Sequence, residues 1–374
     1  MSGSSLVLLW VVGLWALLWG RGRIEIRRTV QLSPRPGSTP PVVTAYLPAR
    51  NEVEVIEASV RALLQESPLQ RLVVVDDGST DGTDRVLGTI VDPRLLVLAG
   101  AGPGPGECGK PAALRGAVNA QPPTTDWLLF VDADVILSPG ALAALVGHAE
   151  ETGAELLSLY PQLVHGSFIE SLVMPTIGAL VLRRYPPALV GDPHSRVAFA
   201  NGQVILIRRE LYLRIGGHQA VVTEILEDVR LAELCKAAGG RLGLVDGRAL
   251  ARTRMYAGWS ELLEGWGKNL HLLLGAQAWR SVFWMLALPV LSAAPLLAGL
   301  WVGGVVGFGA WALVVLMQAD LRRLAGASPL YAPLAPLGAS LAAVVVGRSL
   351  WLHHGRRPVP WKGRRYSAGD PKGT

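Results

Sequence analysis

Cysteine is nearly missing from this 374-residue chain. The two that occur, Cys108 and Cys235, form neither a CxxC pair nor a spacing that would frame disulfides, which excludes a disulfide-built secreted module and a thiol-ligated metal site. Both read as small side chains. Internal repeats are absent as well. Charge is missing from long stretches: Met1 to Gly20, Val282 to Met317 and Leu330 to Gly347 contain no charged residue. The amino terminus also lacks the positive charge that a cleaved signal peptide carries ahead of its apolar run. Here the order is reversed, because Arg21, Arg23, Arg27 and Arg28 follow that run. What is in excess is basic charge, with a net +6 and a pI near 9.6. A nucleic-acid-binding surface is the weaker explanation, since the Arg clusters flank the apolar runs, as expected beside anionic lipid.

Half of the residues are apolar and the mean hydropathy is +0.35. A bilayer core needs about 20 apolar residues of helix, so the uncharged runs read as membrane segments around a polar stretch from about 40 to 270. The arginines after the first run place the following domain in the cytoplasm by the positive-inside rule. This predicts a multi-pass protein of the cell (inner) membrane with a cytoplasmic globular domain. Val282 to Met317 is long enough for a hairpin of two spans turning near Gly303 and Gly304. A further full span at 330–352 would export Arg356, Arg357, Lys362, Arg364 and Arg365, against the rule. Either that segment is re-entrant or interfacial, or the preceding run is not a simple hairpin. The expected boundaries are an anchor at 1–22, a linker at 23–40, a catalytic domain at 41–258, an interfacial amphipathic helix at 259–280, membrane segments at 281–353 and a basic cytoplasmic tail at 354–374.

Within the polar stretch, apolar β-branched runs alternate with helical patterns, which implies parallel βαβ units and a Rossmann-like α/β sheet. Strands are expected at "VVTAYLP", Arg71 to Val75, Leu95 to Ala99, "DWLLFVDAD" and within "FANGQVILIRRE". Helices are expected at Val53 to Gln65, Asp81 to Ile90, Lys110 to Ala120, "SPGALAALVGHAEE", Glu224 to Ala238 and Ser260 to Leu274. The stretch from about 160 to 225 is less regular, with the "FANGQVILIRRE" strand near its end.

Three acidic sites carry the chemistry: Asp76 with Asp77, Asp132 with Asp134, and Glu227 with Asp228. The first two follow apolar strands directly, and the C-terminal edge of a parallel sheet is where ligands bind. In "FVDADV" the two-residue period of an extended strand turns Asp132 and Asp134 the same way. Two carboxylates so placed need a compensating cation, and oxygen ligation suits Mg²⁺ or Mn²⁺ with phosphate oxygens as further ligands. Each site alone has a plainer explanation, as a turn signal, an isolated DxD or the solvated side of a helix. Their occurrence together, in this order, is far more specific.

"YLPARNE", "VVVDDGSTDGT", "GKPAALRGAVNA", "FVDAD" and "EDVRL" together resemble the family 2 glycosyltransferases of the GT-A fold, over roughly Val42 to Asn269. The resemblance implies a nucleotide-sugar donor, usually a UDP-sugar, held by Pro48, Ala49, Arg50, Asn51 and Glu52 and by the acidic turn with Asp76 and Asp77. Carboxylates can accept hydrogen bonds from a base or a ribose for that purpose. It implies that Lys110 compensates phosphate charge and that Asp132 and Asp134 bind the divalent metal on the diphosphate. Asp228 would be the base that takes the acceptor proton, with Glu227 as neighbour or alternate, and the anomeric carbon would invert.

Polymer-building members carry a Q/R-x-x-R-W motif on an interfacial helix. The corresponding "LLEGWGKNL" keeps Trp266 but has Gly265 where Arg is expected. Trp266, with Lys268 supplying charge, could stack on the acceptor, or Trp266 could simply anchor in the headgroup belt. Three or four spans are few for a polymer channel, so a single sugar moved to a membrane lipid fits better. "FANGQVILIRRE", "RMYAGWSELLEGWGKN" and "PWKGRRY" are similar to bacterial carotenoid- and hopanoid-type glycosyltransferases, which implies an isoprenoid-derived acceptor. The alternatives are a polyprenyl-phosphate glycosyltransferase or polysaccharide synthase, and a non-catalytic glycosyltransferase-like scaffold.

Overall fold

A computed structural model describes residues 2–36, 42–355, 359–361 and 364–366. Arg356, Arg357 and Lys362 of the basic tail lie outside the described residues, as do 37–41 of the expected linker. The chain begins with α1 (Gly3–Arg28) and continues through β1 (Val43–Ala49), α2 (Ile56–Leu64), β2 (Leu69–Asp76), α3 (Thr83–Gly88) and β3 (Leu95–Ala99). It proceeds to α4 (Gly109–Ala120), β4 (Trp127–Val131), β5 (Val135–Leu137), α5 (Ala141–Thr152), β6 (Leu156–Tyr160) and β7 (Gln162–Leu163). After these come α6 (Phe168–Arg184), α7 (Pro187–Gly191), β8 (Val204–Arg208), α8 (Arg209–Arg214), a 3-10 turn at Gly217–Val221, α9 (Glu227–Ala237), β9 (Leu242–Asp246) and β10 (Ala251–Thr253). The chain then forms α10 (Trp259–Leu273), α11 (Ala278–Val302), α12 (Gly304–Leu324), a 3-10 segment at Pro329–Leu334, α13 (Ala335–His354), β11 (Val359–Trp361) and β12 (Arg364–Tyr366).

These elements sort into two compact units. The α/β unit comprises Thr29–Val164, Tyr185–Met255 and Pro358–Thr374, and the helical unit comprises Met1–Arg28, His165–Arg184 and Tyr256–Arg357.

In the α/β unit a seven-stranded sheet has the order β3-β2-β1-β4-β8-β6-β9. Strands β3, β2, β1 and β4 are parallel, as the alternation of strand and helix predicts. Leu72, Val73, Val74 and Leu129 are fully buried, each contributing about 1.5–3 kcal/mol by leaving water. Their carboxyl ends converge where the order reverses around β1, the crevice that open α/β sheets use for ligands. Beyond the parallel βαβ units, β8 runs antiparallel to both β4 and β6. It starts where β4 ends, Val131 facing Val204 and the Asp132 N–H donating to the Gln203 carbonyl at 3.1 Å. The antiparallel strand therefore delivers Asn201, Gly202 and Gln203 to the acidic edge. Helix α5 forms where "SPGALAAL" predicts it, but Ser138 supplies only its carbonyl, accepting from Ala141 N–H. The buried Glu66 caps the helix instead, accepting from the N–H groups of Gly140 and Leu142, each at 2.8 Å.

In the helical unit, Gly3–Arg28, Ala278–Val302, Gly304–Leu324 and Pro329–His354 are long and apolar enough to cross a membrane. The expected hairpin turns at Gly303 and Gly304. Its two helices meet where a Cβ on Gly307 would lie 2.1 Å from the Gly299 carbonyl oxygen. Helix α1 is tied to α12 by Asp320, which accepts from the Trp19 indole at 2.8 Å and pairs with Arg23 at 2.6 Å. Helix α6, unseen in the sequence pattern, packs on α13, where Gly338 leaves no room for a Cβ against the Leu172 carbonyl. The buried Arg322 of α12 donates to the carbonyls of Ser328 and of Ser171 in α6.

Candidate active site

The site grows from the ends of β1, β2 and β4. After β1, Asn51 takes φ +52, a left-handed conformation that Asn tolerates better than most side chains. This turn latches the loop after β1 onto the acidic turn after β2. The Asn51 side-chain carbonyl accepts from Thr80 N–H at 2.9 Å, Asn51 N–H donates to Ser79 Oγ at 2.9 Å, and Glu52 N–H donates to Thr83 Oγ1 at 2.8 Å. Arg50 donates to the carbonyls of Asp77 and Gly78, and Asp77 N–H donates to the Ala49 carbonyl at 2.8 Å. The Asp76 carboxylate turns inward onto Ser79, whose N–H and hydroxyl it accepts. A Cβ on Gly100 would stand 2.9 Å from Asp77 Cα, so the close approach of β3's end requires glycine there. Pro48, Ala49, Arg50, Asn51, Glu52, Asp76 and Asp77 thus form one joined rim.

Asp132 and Asp134 need a correction. Strand β4 ends at Val131, and the acids sit in a turn closed by Val135 N–H to the Asp132 carbonyl at 3.2 Å. A strand period therefore does not align them. The β4–β8 ladder ends at Val131, and β5 then leaves to pair with β10. Asp134 accepts the Thr253 hydroxyl of β10 at 2.8 Å, while Asp132 pairs with Lys110 Nζ at 2.7 Å.

Lys110 is the hub. From the first turn of α4 its ammonium also reaches Glu227 at 3.0 Å and the Gly202 carbonyl at 3.2 Å. Burial alone would lower its pKa, but Asp132, Glu227 and Asp228 outweigh that and hold it above the ordinary lysine value. Glu227 and Asp228 open α9, where the helix dipole favours negative charge. Glu227 is only 8% exposed, so the solvated-helix explanation fails. Asp228 accepts from Gly202 N–H at 2.8 Å and from Val229 N–H at 2.8 Å. Burial first, and the neighbouring Glu227 second, push its pKa up to about 7, against Lys110 and the two backbone donors.

Three contributors escaped sequence reasoning. A Cβ on Gly202 would stand 2.9 Å from both Asp228 Oδ2 and Lys110 Nζ and push those side-chain ends aside; the only signal was a glycine just before a strand. Thr253 is an ordinary strand residue by pattern. His218 lines the same small pocket as Pro48, Lys110, Asp132 and Glu227, and a lone histidine gives no signal.

The described residues contain no group of three or more His, Cys, Asp or Glu side chains disposed around a metal position. The half-buried Asp132 and Asp134 still fit a Mg²⁺- or Mn²⁺-like ion, which takes one or two carboxylates and fills its shell with phosphate oxygens and water.

Trp266 and Lys268 belong to the helical unit. The Trp266 indole N–H points to Met174 Sδ of α6 at 3.2 Å, and the Lys268 carbonyl is in hydrogen-bond contact with His353 Nε2 at 2.7 Å. Gly265 stands where a polymer-type motif has Arg, and the Tyr256 ring covers it, 2.3 Å from where a Cβ would be.

Comparison with known proteins follows the same lines. The family model described as "Glycosyltransferase like family 2" matches residues 40–262. A 4,4'-diaponeurosporenoate glycosyltransferase of Staphylococcus haemolyticus is 25% identical over 358 residues, covering 89% of this chain and 90% of the relative. The enzyme of the same description from Staphylococcus aureus (strain USA300) is 29% identical over 240 residues, 61% of this chain and 60% of that protein's length. Among solved structures, a Pyrobaculum calidifontis mannosyltransferase in complex with GDP-Man and Mn²⁺ aligns over 94% of this chain and 97% of its own, with TM-score 0.56 and 19% identity. That likeness bears on the fold.

Proposed function

The chain belongs to the glycosyltransferase-like family 2 and is a glycosyltransferase, and from that premise we propose that it moves a hexose from a UDP-sugar onto the carboxyl group of an isoprenoid lipid acid. The observation that carries this reading is the Asp228 carboxylate, oriented by two backbone N–H groups beside a lysine-bridged acid pair at a ligand-binding strand edge. The acceptor class rests on the staphylococcal relatives, named for a carotenoid acid, and on four apolar helices in the same chain.

In this reading the rim from Pro48 to Glu52, with Asp76 and Asp77, holds the nucleotide, and Lys110 offsets diphosphate charge. Asp132 and Asp134 would hold a divalent ion, which supplies Lewis-acid stabilisation of the leaving diphosphate. A lipid acid entering a low-dielectric site has its own pKa raised and arrives partly protonated. Asp228, poised near neutrality, takes that proton as the acceptor oxygen attacks the anomeric carbon and the bond to the diphosphate breaks. One in-line displacement inverts the centre. The arginines after the first apolar run support a cytoplasmic, inner-membrane placement of the α/β unit. Tyr256 lying over Gly265 speaks against a polymer synthase motif.

The test is mass spectrometry of lipids from cells that make a carotenoid acid, expressing wild type or Asp228→Asn. A lipid one hexose heavier is expected with wild type alone. Sugar polymer or prenyl-phosphate sugar in its place would overturn the acceptor assignment, and a hexosyl lipid formed equally by the Asn variant would overturn the role of Asp228.

A further inference from the structure

Lys236 stands in the last turn of α9, the helix that opens with Glu227 and Asp228. Its half-buried side chain reaches backbone: the ammonium donates to the carbonyls of Leu189 at 3.2 Å, Val190 at 2.9 Å and Val197 at 2.5 Å. An ammonium has three protons to donate and accepts nothing, so the three carbonyls match its capacity. Two of them lie at a helix end. Helix α7 stops at Gly191, and the last carbonyls of a helix have no partner within it; Lys236 serves those of Leu189 and Val190.

The third carbonyl lies where the chain goes under cover. Pro193, His194 and Arg196 are exposed, whereas Ala198, Phe199 and Ala200 are buried. Beyond them Asn201 N–H donates to Ser158 Oγ at 2.8 Å, and Gly202 N–H donates to Asp228 Oδ2 at 2.8 Å. The Gly202 carbonyl accepts from Lys110 Nζ at 3.2 Å. The segment from Val197 to Gly202 is therefore fixed at both ends to one helix, at Lys236 and at Asp228. From 228 to 236 an α-helix rises about 12 Å, and the chain from 197 to 202 reaches at most about 18 Å. Too little chain remains between the two attachments for a loose loop.

We infer that Lys236 is a positioning residue for sugar transfer: by gripping the carbonyls of Leu189, Val190 and Val197 it keeps the 197–202 segment taut, and so holds the Gly202 peptide between Asp228 and Lys110. Of the two backbone donors to Asp228, Val229 N–H belongs to the same helix and stays whatever the segment does. Gly202 N–H comes from outside the helix, and its place depends on where the segment is held. Release at Val197 lets the segment slacken, and the Asp228 carboxylate then turns away from the direction that its outer donor sets. The claim rests on the reading of Asp228 as the base, and its test keeps the two separable.

Full-length enzyme purified in detergent is compared as wild type, Lys236→Met, Lys236→Gln and Lys236→Arg. Methionine keeps an unbranched stem and removes the ammonium, glutamine offers two N–H groups, and arginine keeps a charged set of donors. The glutamine variant carries the test if the methionine one does not fold. Hydrogen exchange read by mass spectrometry is expected to be several-fold faster in the Met variant for peptides covering 198–203, and unchanged for those covering Asp76 and Asp77. With UDP-glucose, Mn²⁺ and diaponeurosporenoate, Lys236→Met is expected to lower kcat roughly ten- to a hundredfold, the scale of a misplaced reacting group, with the KM for donor little changed. Lys236→Gln should fall between, and Lys236→Arg should recover most of the loss. Unchanged exchange at 198–203, exchange that rises equally across the whole sheet, or equal loss of kcat in the Met and Arg variants overturns the inference, as does a raised donor KM with kcat intact. A wild type that transfers no sugar counts against the functional reading alone, and the exchange measurement then decides by itself whether Lys236 holds the Gly202 peptide.

Discussion

Asp228 has the environment of a base that works near neutral pH, and the sign of its pH dependence follows. Burial and Glu227 raise its pKa to about 7, so the carboxylate is available above that value and is lost as pH falls through it. The expected kcat/KM profile is flat at alkaline pH and declines about tenfold per unit below the pKa; a profile that keeps its rate well into acid would remove Asp228 as the base. At or below neutral pH, where the acceptor acid keeps its proton, Asp228→Asn should cost about 10²- to 10⁴-fold in kcat, with nucleotide-sugar affinity nearly unchanged in a binding titration. The fold should survive this change. A carboxyl bound to its proton more tightly in the folded than the unfolded state opposes folding as pH rises from about 4 to about 7, so thermal melting of the Asn variant should match or exceed wild type at alkaline pH. Lys110 behaves in the opposite way. It bridges Asp132 and Glu227, and removing one partner of a buried ionic group costs about 3–5 kcal/mol. Lys110→Met should therefore melt well below wild type at neutral pH and regain stability as the pH is lowered and the facing carboxylates protonate.

At the level of elements, the sequence was readable wherever local pattern and tertiary role agree. Leu72 to Val75 is apolar because it is a central strand, and "VVDDGSTDGT" reads as a strand end because Asp76, Ser79, Asp81 and Thr83 satisfy each other's turn. The DxD acids follow the apolar strand directly, but no strand period aligns them, because β4 ends at Val131 and Val135 N–H closes a turn onto the Asp132 carbonyl. Helix α6 was illegible because it carries Pro175 and shows no apolar stripe; its stability comes from α13, a partner far away in sequence. Two glycines turn such long-range contacts into predictions. Gly100→Ala forces the end of β3 away from Asp77 and should raise the donor KM several-fold with a smaller effect on kcat, measurable by donor titration. Gly265→Arg, which would complete a polymer-type motif, instead overpacks α10 against Tyr256, an insertion of the kind that typically costs about 1–3 kcal/mol. A lowered melting temperature is expected, relieved by adding Tyr256→Ala; an Arg variant as stable as wild type would show that the ring moves aside freely.

Across the whole molecule, the same chain supplies an α/β unit with a polar ligand edge and a helical unit with four helices of membrane-spanning length and composition. Membrane helices expose apolar side chains such as Trp10, Leu9, Val305 and Val306, which lipid covers at no cost in hydration. For the side of the bilayer that holds the α/β unit, the arginines give the expectation. Arg21, Arg23, Arg27 and Arg28 close α1, and translocating them is disfavoured, which predicts a cytoplasmic catalytic unit with access to nucleotide sugars made in that compartment. The chain carries its own reporter for this. Cys108 is half-exposed in the α/β unit, whereas Cys235 is buried and its thiol pKa is pushed up to about 12, mainly by burial, so only Cys108 should react with a maleimide. With a membrane-impermeant maleimide, intact spheroplasts are expected to leave the protein unlabelled and permeabilised ones to label it once, with Cys108→Ser abolishing the signal. Labelling in intact spheroplasts would put the α/β unit outside, away from a cytoplasmic donor, and would overturn both the orientation and the UDP-sugar assignment that depends on it.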